Sequence, residues 1–195
     1  MLLPLLRRGA SLTSAGALAL AAFAGAVPAQ AAASAQAAAV SENLVCVGHM
    51  TVTLATPVTY TPAQNTFKVT GAMDDCMSPS GSNPRVAGGS FSMTGSGLLS
   101  CTRLETYKLE QNFTWYDAQG AKLGETRVSA TGTGKGDPAH HEMLNVNHGI
   151  AAAGSTRFAG QEVESEFAPK AAVGSCDEGK NNLTGSIQVS IRPAR

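Results

Sequence analysis

Apolar residues recur with period two along most of the chain beyond residue 43. In LVCVGHMTVTL, Leu44, Cys46, Met50, Val52 and Leu54 share one side of the alternation, and His49, Thr51 and Thr53 the other. TFKVTGAM sets Phe67, Val69 and Met73 against Thr66, Lys68 and Thr70. YKLEQNFTWY sets Tyr107, Leu109, Phe113 and Trp115 against Lys108, Glu110, Asn112 and Thr114, and LTGSIQVSI sets Leu183, Ile187, Val189 and Ile191 against Thr184, Ser186, Gln188 and Ser190. Successive side chains of a strand leave opposite faces, so each run reads as a strand with one buried face. Weaker runs lie near 86–99, 122–132, 142–151 and 157–168. The turn-forming stretches TPAQN, SPSGSNP, DAQG, TGKGDP and CDEGKNN separate most of them. The pattern predicts an all-β fold of about eight antiparallel strands, closed as a barrel, with a β-sandwich as the alternative.

The first residues follow another rule. MLLPLLRR carries Arg7 and Arg8, an uncharged Ala-, Leu- and Gly-rich run extends from Gly9 to Ala26, and overlapping A-x-A sites end at Ala31, Ala35 and Ala37. A positive start, an apolar middle and small residues at a cleavage site describe a secretory signal peptide. The run is long enough for a membrane anchor, but Ala and Gly make it weakly apolar and repeated cleavage signals follow it. Residues 1–37 are therefore read as signal peptide and Ala-rich cleavage region, and 38–195 as a single β domain, secreted and not inserted in a membrane after cleavage. All 14 acidic residues and 12 of the 14 basic ones lie beyond residue 37, a net charge of about −2 with no basic cluster. That balance argues against nucleic acid and anionic membranes as partners.

Four cysteines, Cys46, Cys76, Cys101 and Cys176, follow the leader. An even number in an exported chain implies two disulfides, and no close C-x-x-C pair suggests zinc. In an eight-strand meander, let end A be where the first strand starts and end B where it finishes. Cys46 opens strand one and Cys76 follows strand two, both at end A; Cys101 follows strand three and Cys176 precedes strand eight, both at end B. Bridged α-carbons lie within about 7 Å, so the expected pairs are 46–76 and 101–176. A Greek-key order would break this reasoning.

HHEMLNVNH (His140–His148) is the densest cluster of chemically active side chains. A zinc-protease helix needs ligands four apart, but the residue four after His141 is Asn145. The segment also alternates, with Leu144, Val146, His148 and Ile150 on one side. On a strand, His140 and His148 stand roughly 26 Å apart, too far to share a metal. His148 then sits on an apolar face, either satisfied by a neighbour at the barrel mouth or placed in a ligand pocket. The Asp74-Asp75 pair reads as solvated loop carboxylates, and Glu162, Glu164 and Glu166 as one solvated strand face. DEGKNN, with Asp177 and Asn181, lacks the full calcium-loop pattern. TGTGKGDP has GKG in place of GK[ST] and reads as a tight turn, and no G-x-S-x-G elbow is present. No catalytic residue, metal ligand or cofactor is assigned.

The segments Cys46-Val47-Gly48, Thr59-Tyr60-Thr61-Pro62 and Arg157-Phe158-Ala159-Gly160, with the later cysteines, resemble a group of small secreted actinobacterial proteins of unassigned activity. The resemblance implies a compact, disulfide-linked β domain outside the cell and carries over no functional residues.

An eight-strand barrel is wide enough to be filled by its own side chains or to hold one small ligand. Glycines at inward positions 48, 71, 95, 97 and 185 either leave room for a cavity or mark tight strand packing. The expected pocket lining is Trp115, Tyr107 and Gln111 on one strand and His148 on another, an aromatic wall with a few polar groups. The functional expectation is a non-catalytic binding or cell-envelope-associated domain, its partner an unknown small molecule or envelope component; the alternative is a secreted hydrolase with an unorthodox site.

Overall fold

The computed structural model describes residues 43–101, 103–137, 142–170 and 180–195. Eight strands follow in order: β1 (Leu44–Val58), β2 (Ala63–Met77), β3 (Gly88–Leu99), β4 (Arg103–Tyr116), β5 (Lys122–Asp137), β6 (Glu142–Ala151), β7 (Glu162–Lys170) and β8 (Lys180–Arg192). Each pairs antiparallel with the next, and β8 pairs back on β1, so the sheet is a closed up-and-down barrel and not a sandwich. Closure removes both sheet edges, which satisfies the backbone without any covering helix.

The strands form because their inward positions carry the apolar side chains. Leu44, Cys46, Met50 and Leu54 of β1, Phe91, Met93 and Leu99 of β3, Tyr107, Leu109, Phe113 and Trp115 of β4, and Ile187, Val189 and Ile191 of β8 are all buried. The intervening residues, Thr51, Thr53, Lys68, Thr70, Thr94, Lys108, Glu110 and Asn112 among them, face solvent. The stretch TGKGDP departs from the expected turn: Thr133 to Asp137 continue β5. Its Thr-Gly alternation has a strand period whose apolar half has been reduced to glycine.

One irregularity positions a covalent link. Along β2 the inward residues are Asn65, Val69 and Met73, all odd-numbered. Val47 pairs with Asp75 but Gly48 with Met73, so Asp74 is an extra residue in β2. Such a bulge reverses the side-chain phase beyond it. Cys76 thereby comes directly opposite Cys46, with α-carbons 4.1 Å apart, and the two form a disulfide at end A. The displaced Asp74 projects outward and meets His49 Nδ1 at 2.9 Å. Cys101 is also disulfide-bonded; Cys176, its expected partner, lies outside the described residues.

End A is closed by aromatic packing. Phe113 stacks on Trp115 with ring centroids 5.5 Å apart, and Phe158 meets the Trp115 ring edge-on at 5.4 Å. Phe158 belongs to the connection between β6 and β7, where it adopts a positive φ of 59°. That conformation is unfavourable for a bulky residue. It is held by a hydrogen-bonded frame: Thr126 accepts from Trp115 Nε1 at 2.8 Å and donates to the Arg157 carbonyl at 2.8 Å. The Arg157 backbone N–H bonds the Glu125 carbonyl at 3.0 Å. The Arg-Phe-Ala-Gly segment is thus a plug that closes end A over its only tryptophan.

Candidate functional site

End B is packed differently. The pairing of β1 with β8 breaks between Thr53 and Val58, that of β3 with β4 between Ser96 and Leu99, and that of β4 with β5 between Leu104 and Tyr107. Inside these looser walls lies a cavity of about 60 Å³. Its lining is mostly hydrocarbon: Met50, Val52, Leu54 and Val58 of β1, Phe67 and Val69 of β2, Leu104 of β4, Phe167 and Pro169 of β7, and Leu183 of β8. Leu99 completes the apolar lining, and Ser100, Tyr107 and Asn145 are its polar residues. No charged side chain lines it among the described residues.

Beneath the cavity a polar chain crosses the barrel. The Tyr107 hydroxyl donates to Asn147 Oδ1 at 2.6 Å. Asn147 Nδ2 donates to Ser165, reaching its carbonyl at 3.2 Å and its hydroxyl at 3.3 Å. Gln111 Nε2 donates to the same hydroxyl at 2.8 Å. All four side chains are buried, where an unmade hydrogen bond is costly. Burial holds the Tyr107 phenol neutral well above its usual range, outweighing the opposite pull of the Asn147 hydrogen bond. Two acceptors have no hydrogen-bond partner among the described residues: Gln111 Oε1 and Asn145 Oδ1.

Two glycines of β5 make room for this layer. Gly132 pairs with Asn147 and Gly134 with Asn145. A Cβ on Gly132 would lie 2.0 Å from Asn147 Oδ1 and 2.6 Å from Tyr107 Cζ; one on Gly134 would lie 1.8 Å from Asn145 Oδ1. The asparagine amides therefore rest on bare backbone.

The residues expected to form a pocket separate into four places. Tyr107 lines the cavity. Gln111 is buried in the polar chain beneath it, and Trp115 is buried at end A between Phe113 and Phe158. His148 is not inside the barrel: it lies on the outer face, with Nδ1 3.2 Å from a Glu164 carboxylate oxygen. The reason is that β6 presents its other face to the interior. Asn145, Asn147 and Ala151 are buried, while Leu144 and Ile150 are each 51% exposed. The glycines also read differently in three dimensions. The positions above Gly71 and Gly95 are occupied by the rings of Phe91 and Phe67, and that above Gly97 by the Tyr107 Cβ, so these glycines seat neighbouring side chains and do not form the cavity.

The remaining polar clusters are superficial. Glu162 and Glu164 on the outside of β7 both bind Arg192, and no group of three or more His, Cys, Asp or Glu side chains converges among the described residues. His140, His141 and Asp177 lie outside those residues. The asparagines were detectable in principle: the alternation Gly132-x-Gly134 in one strand and Asn145-x-Asn147 in the next is a small-residue row facing an amide row. No family model matches the chain, and no curated protein or solved structure matches it.

Proposed function

We propose that the chain is an exported, non-catalytic binding domain whose barrel takes a small, mainly apolar molecule into end B. The observation that carries this reading is the cavity itself: about 60 Å³ of hydrocarbon-lined space in a barrel whose other half is filled and plugged. Concave apolar sites with a few directed polar groups are the usual form of small-molecule sites. Export is supported by the leader pattern and by the disulfide, which persists in oxidising compartments. Among the described residues the outer face is rich in Thr, Ser and Lys, and its exposed large apolar side chains, Val47, Tyr60, Met77, Leu144 and Ile150, do not form the continuous band that a lipid-facing barrel carries. This supports a domain free of the membrane after cleavage.

The test is a methyl-labelled NMR titration of the purified chain with a panel of small neutral compounds. Binding at end B shifts the methyl signals of Met50, Leu54 and Val69 and leaves those of Met73 and Val163, at the filled end, in place. A panel that shifts none of the end-B methyls sinks the reading and leaves a contact role for the outer surface.

A further inference from the structure

We infer that the end-B cavity selects an uncharged molecule bearing a hydroxyl, and that Asn145 is the residue that recognises this group. The inference rests on the binding role proposed above. Asn145 is 5% exposed and borders the cavity, yet its Oδ1 has no hydrogen-bond partner among the described residues. Asn147, two residues further along the same strand face, shows what such an amide accepts here. Both amides lie against a β5 glycine, and Asn147 Oδ1 is met by the phenolic hydroxyl of Tyr107 at 2.6 Å. Asn145 occupies the equivalent position one layer nearer end B, and no such donor meets its Oδ1 among the described residues. The terminal torsion of asparagine is broad, so rotation about it can turn the oxygen from Gly134 toward the cavity. A hydroxyl is the matching group because it both donates and accepts, and an amide offers both functions.

The rest of the lining sets the limits. The Tyr107 proton is already committed to Asn147, and the remaining walls are hydrocarbon apart from Ser100. A carboxylate or ammonium entering this space would lose its hydration with no opposite charge to meet it. The volume, about 60 Å³, holds roughly four water-sized units at about 15 Å³ each. The enclosed part of the ligand is therefore a short chain or small ring.

The experiment compares 1-pentanol, n-hexane, pentanoate and n-pentylammonium by the same NMR titration, on the native chain and on Asn145→Leu. On the native protein, pentanol should bind and the two ions should not. In Asn145→Leu the preference for pentanol over hexane should fall about tenfold, the worth of one hydrogen bond. Should that variant fail to fold, Asn145→Ala serves the same comparison. An unchanged preference, or pentanoate binding as well as pentanol, overturns the selectivity while the cavity remains a binding site. If none of the four shifts the end-B methyls, the binding role falls and the selectivity with it.

Discussion

Replacing Tyr107 by Phe removes one oxygen atom from the centre of the barrel and leaves the ring in place. The ring stays packed edge-on against Phe67, centroids 5.5 Å apart, so no cavity larger than a hydroxyl is created. What is lost is the 2.6 Å bond to Asn147 Oδ1. Asn147 is 0% exposed, so its carbonyl oxygen is left buried without that donor. Stranding a buried acceptor costs about 1–3 kcal/mol, more than the bond itself contributes. For a domain of this size each kcal/mol moves Tm by roughly 2–4 °C, so a drop of roughly 2–12 °C is expected. Urea unfolding followed by the fluorescence of Trp115, the sole tryptophan and fully buried, measures the change directly. Tyr60→Phe is the control, because Tyr60 is exposed and its hydroxyl is free to bond water. A loss below about 0.3 kcal/mol in Tyr107→Phe, or one equal to the control, would refute the claim that the polar chain is a stabilising, fully desolvated unit. Pairing it with Asn147→Ala in a double-mutant cycle separates the bond from the stranded oxygen.

The same phenol predicts alkaline behaviour. Its proton is held more tightly in the folded state than in the unfolded one, where the ordinary value is about 10. Its contribution is therefore complete below about pH 10 and is lost as pH rises toward the folded value; Tyr107→Phe should flatten the alkaline limb of a stability–pH curve, and an unchanged limb would exclude this. Removing the disulfide through Cys46→Ala with Cys76→Ala opens a 30-residue link and should lower stability by roughly 2–5 kcal/mol, read from chemical denaturation. Gly132→Ala forces a Cβ to 2.0 Å from Asn147 Oδ1 and should cost about 2–3 kcal/mol, whereas Gly154→Ala, with no atom within 4 Å of the added carbon, should be near neutral by the same assay. Phe158→Ala unseats the plug at a cost of about 3 kcal/mol and should expose Trp115 to acrylamide quenching; quenching that stays at the native level would contradict a capping role for that loop.

Most of the barrel was legible because its strands obey one rule with few exceptions. In β1, β2, β4, β7 and β8 the bulky apolar residues and the buried positions coincide, so period-two alternation identified both the strands and their inward faces. Plain meander order was a premise of the cysteine pairing, and the barrel has that order. β6 broke the rule for a physical reason. Its outward Leu144, Val146 and Ile150 are more apolar than its inward Asn145, Asn147 and Gly149, and hydropathy alone places the wrong face inside. An exposed leucine is common on any protein surface; a buried amide pair is the rarer event and depends on partners from other strands. Those partners, Tyr107 and Ser165, are 40 and 18 residues from Asn147 in sequence. The cavity was hidden for a related reason. Glycine counts cannot distinguish an empty position from one filled by a neighbouring side chain, and here the Phe91 and Phe67 rings and the Tyr107 Cβ do the filling.

The face that β6 turns inward can be weighed against its alternative. A one-residue slip would exchange the two faces of the strand. Leu144 and Ile150 are 51% exposed already half covered, so burying them fully, together with Val146, would gain roughly 2–4 kcal/mol from apolar transfer. The same slip would remove Asn147 from Tyr107 and Ser165, leave Gln111 sharing a hydroxyl with fewer partners, and carry His148 from its outer contact with Glu164 into the interior. Three or four buried polar groups left unmatched cost about 1–3 kcal/mol each, a loss of roughly 3–12 kcal/mol that exceeds the gain over most of its range. Gly132 and Gly134 add a steric term in the same direction, since the space over them is shaped for a flat amide and the Tyr107 ring limits what else enters. The polar chain thus defines the register of β6, and in doing so it places Asn145 at the cavity wall. A residue that the apolar pattern assigns to solvent becomes the polar contact of the site because its neighbour two positions on is needed to hold the strand in place.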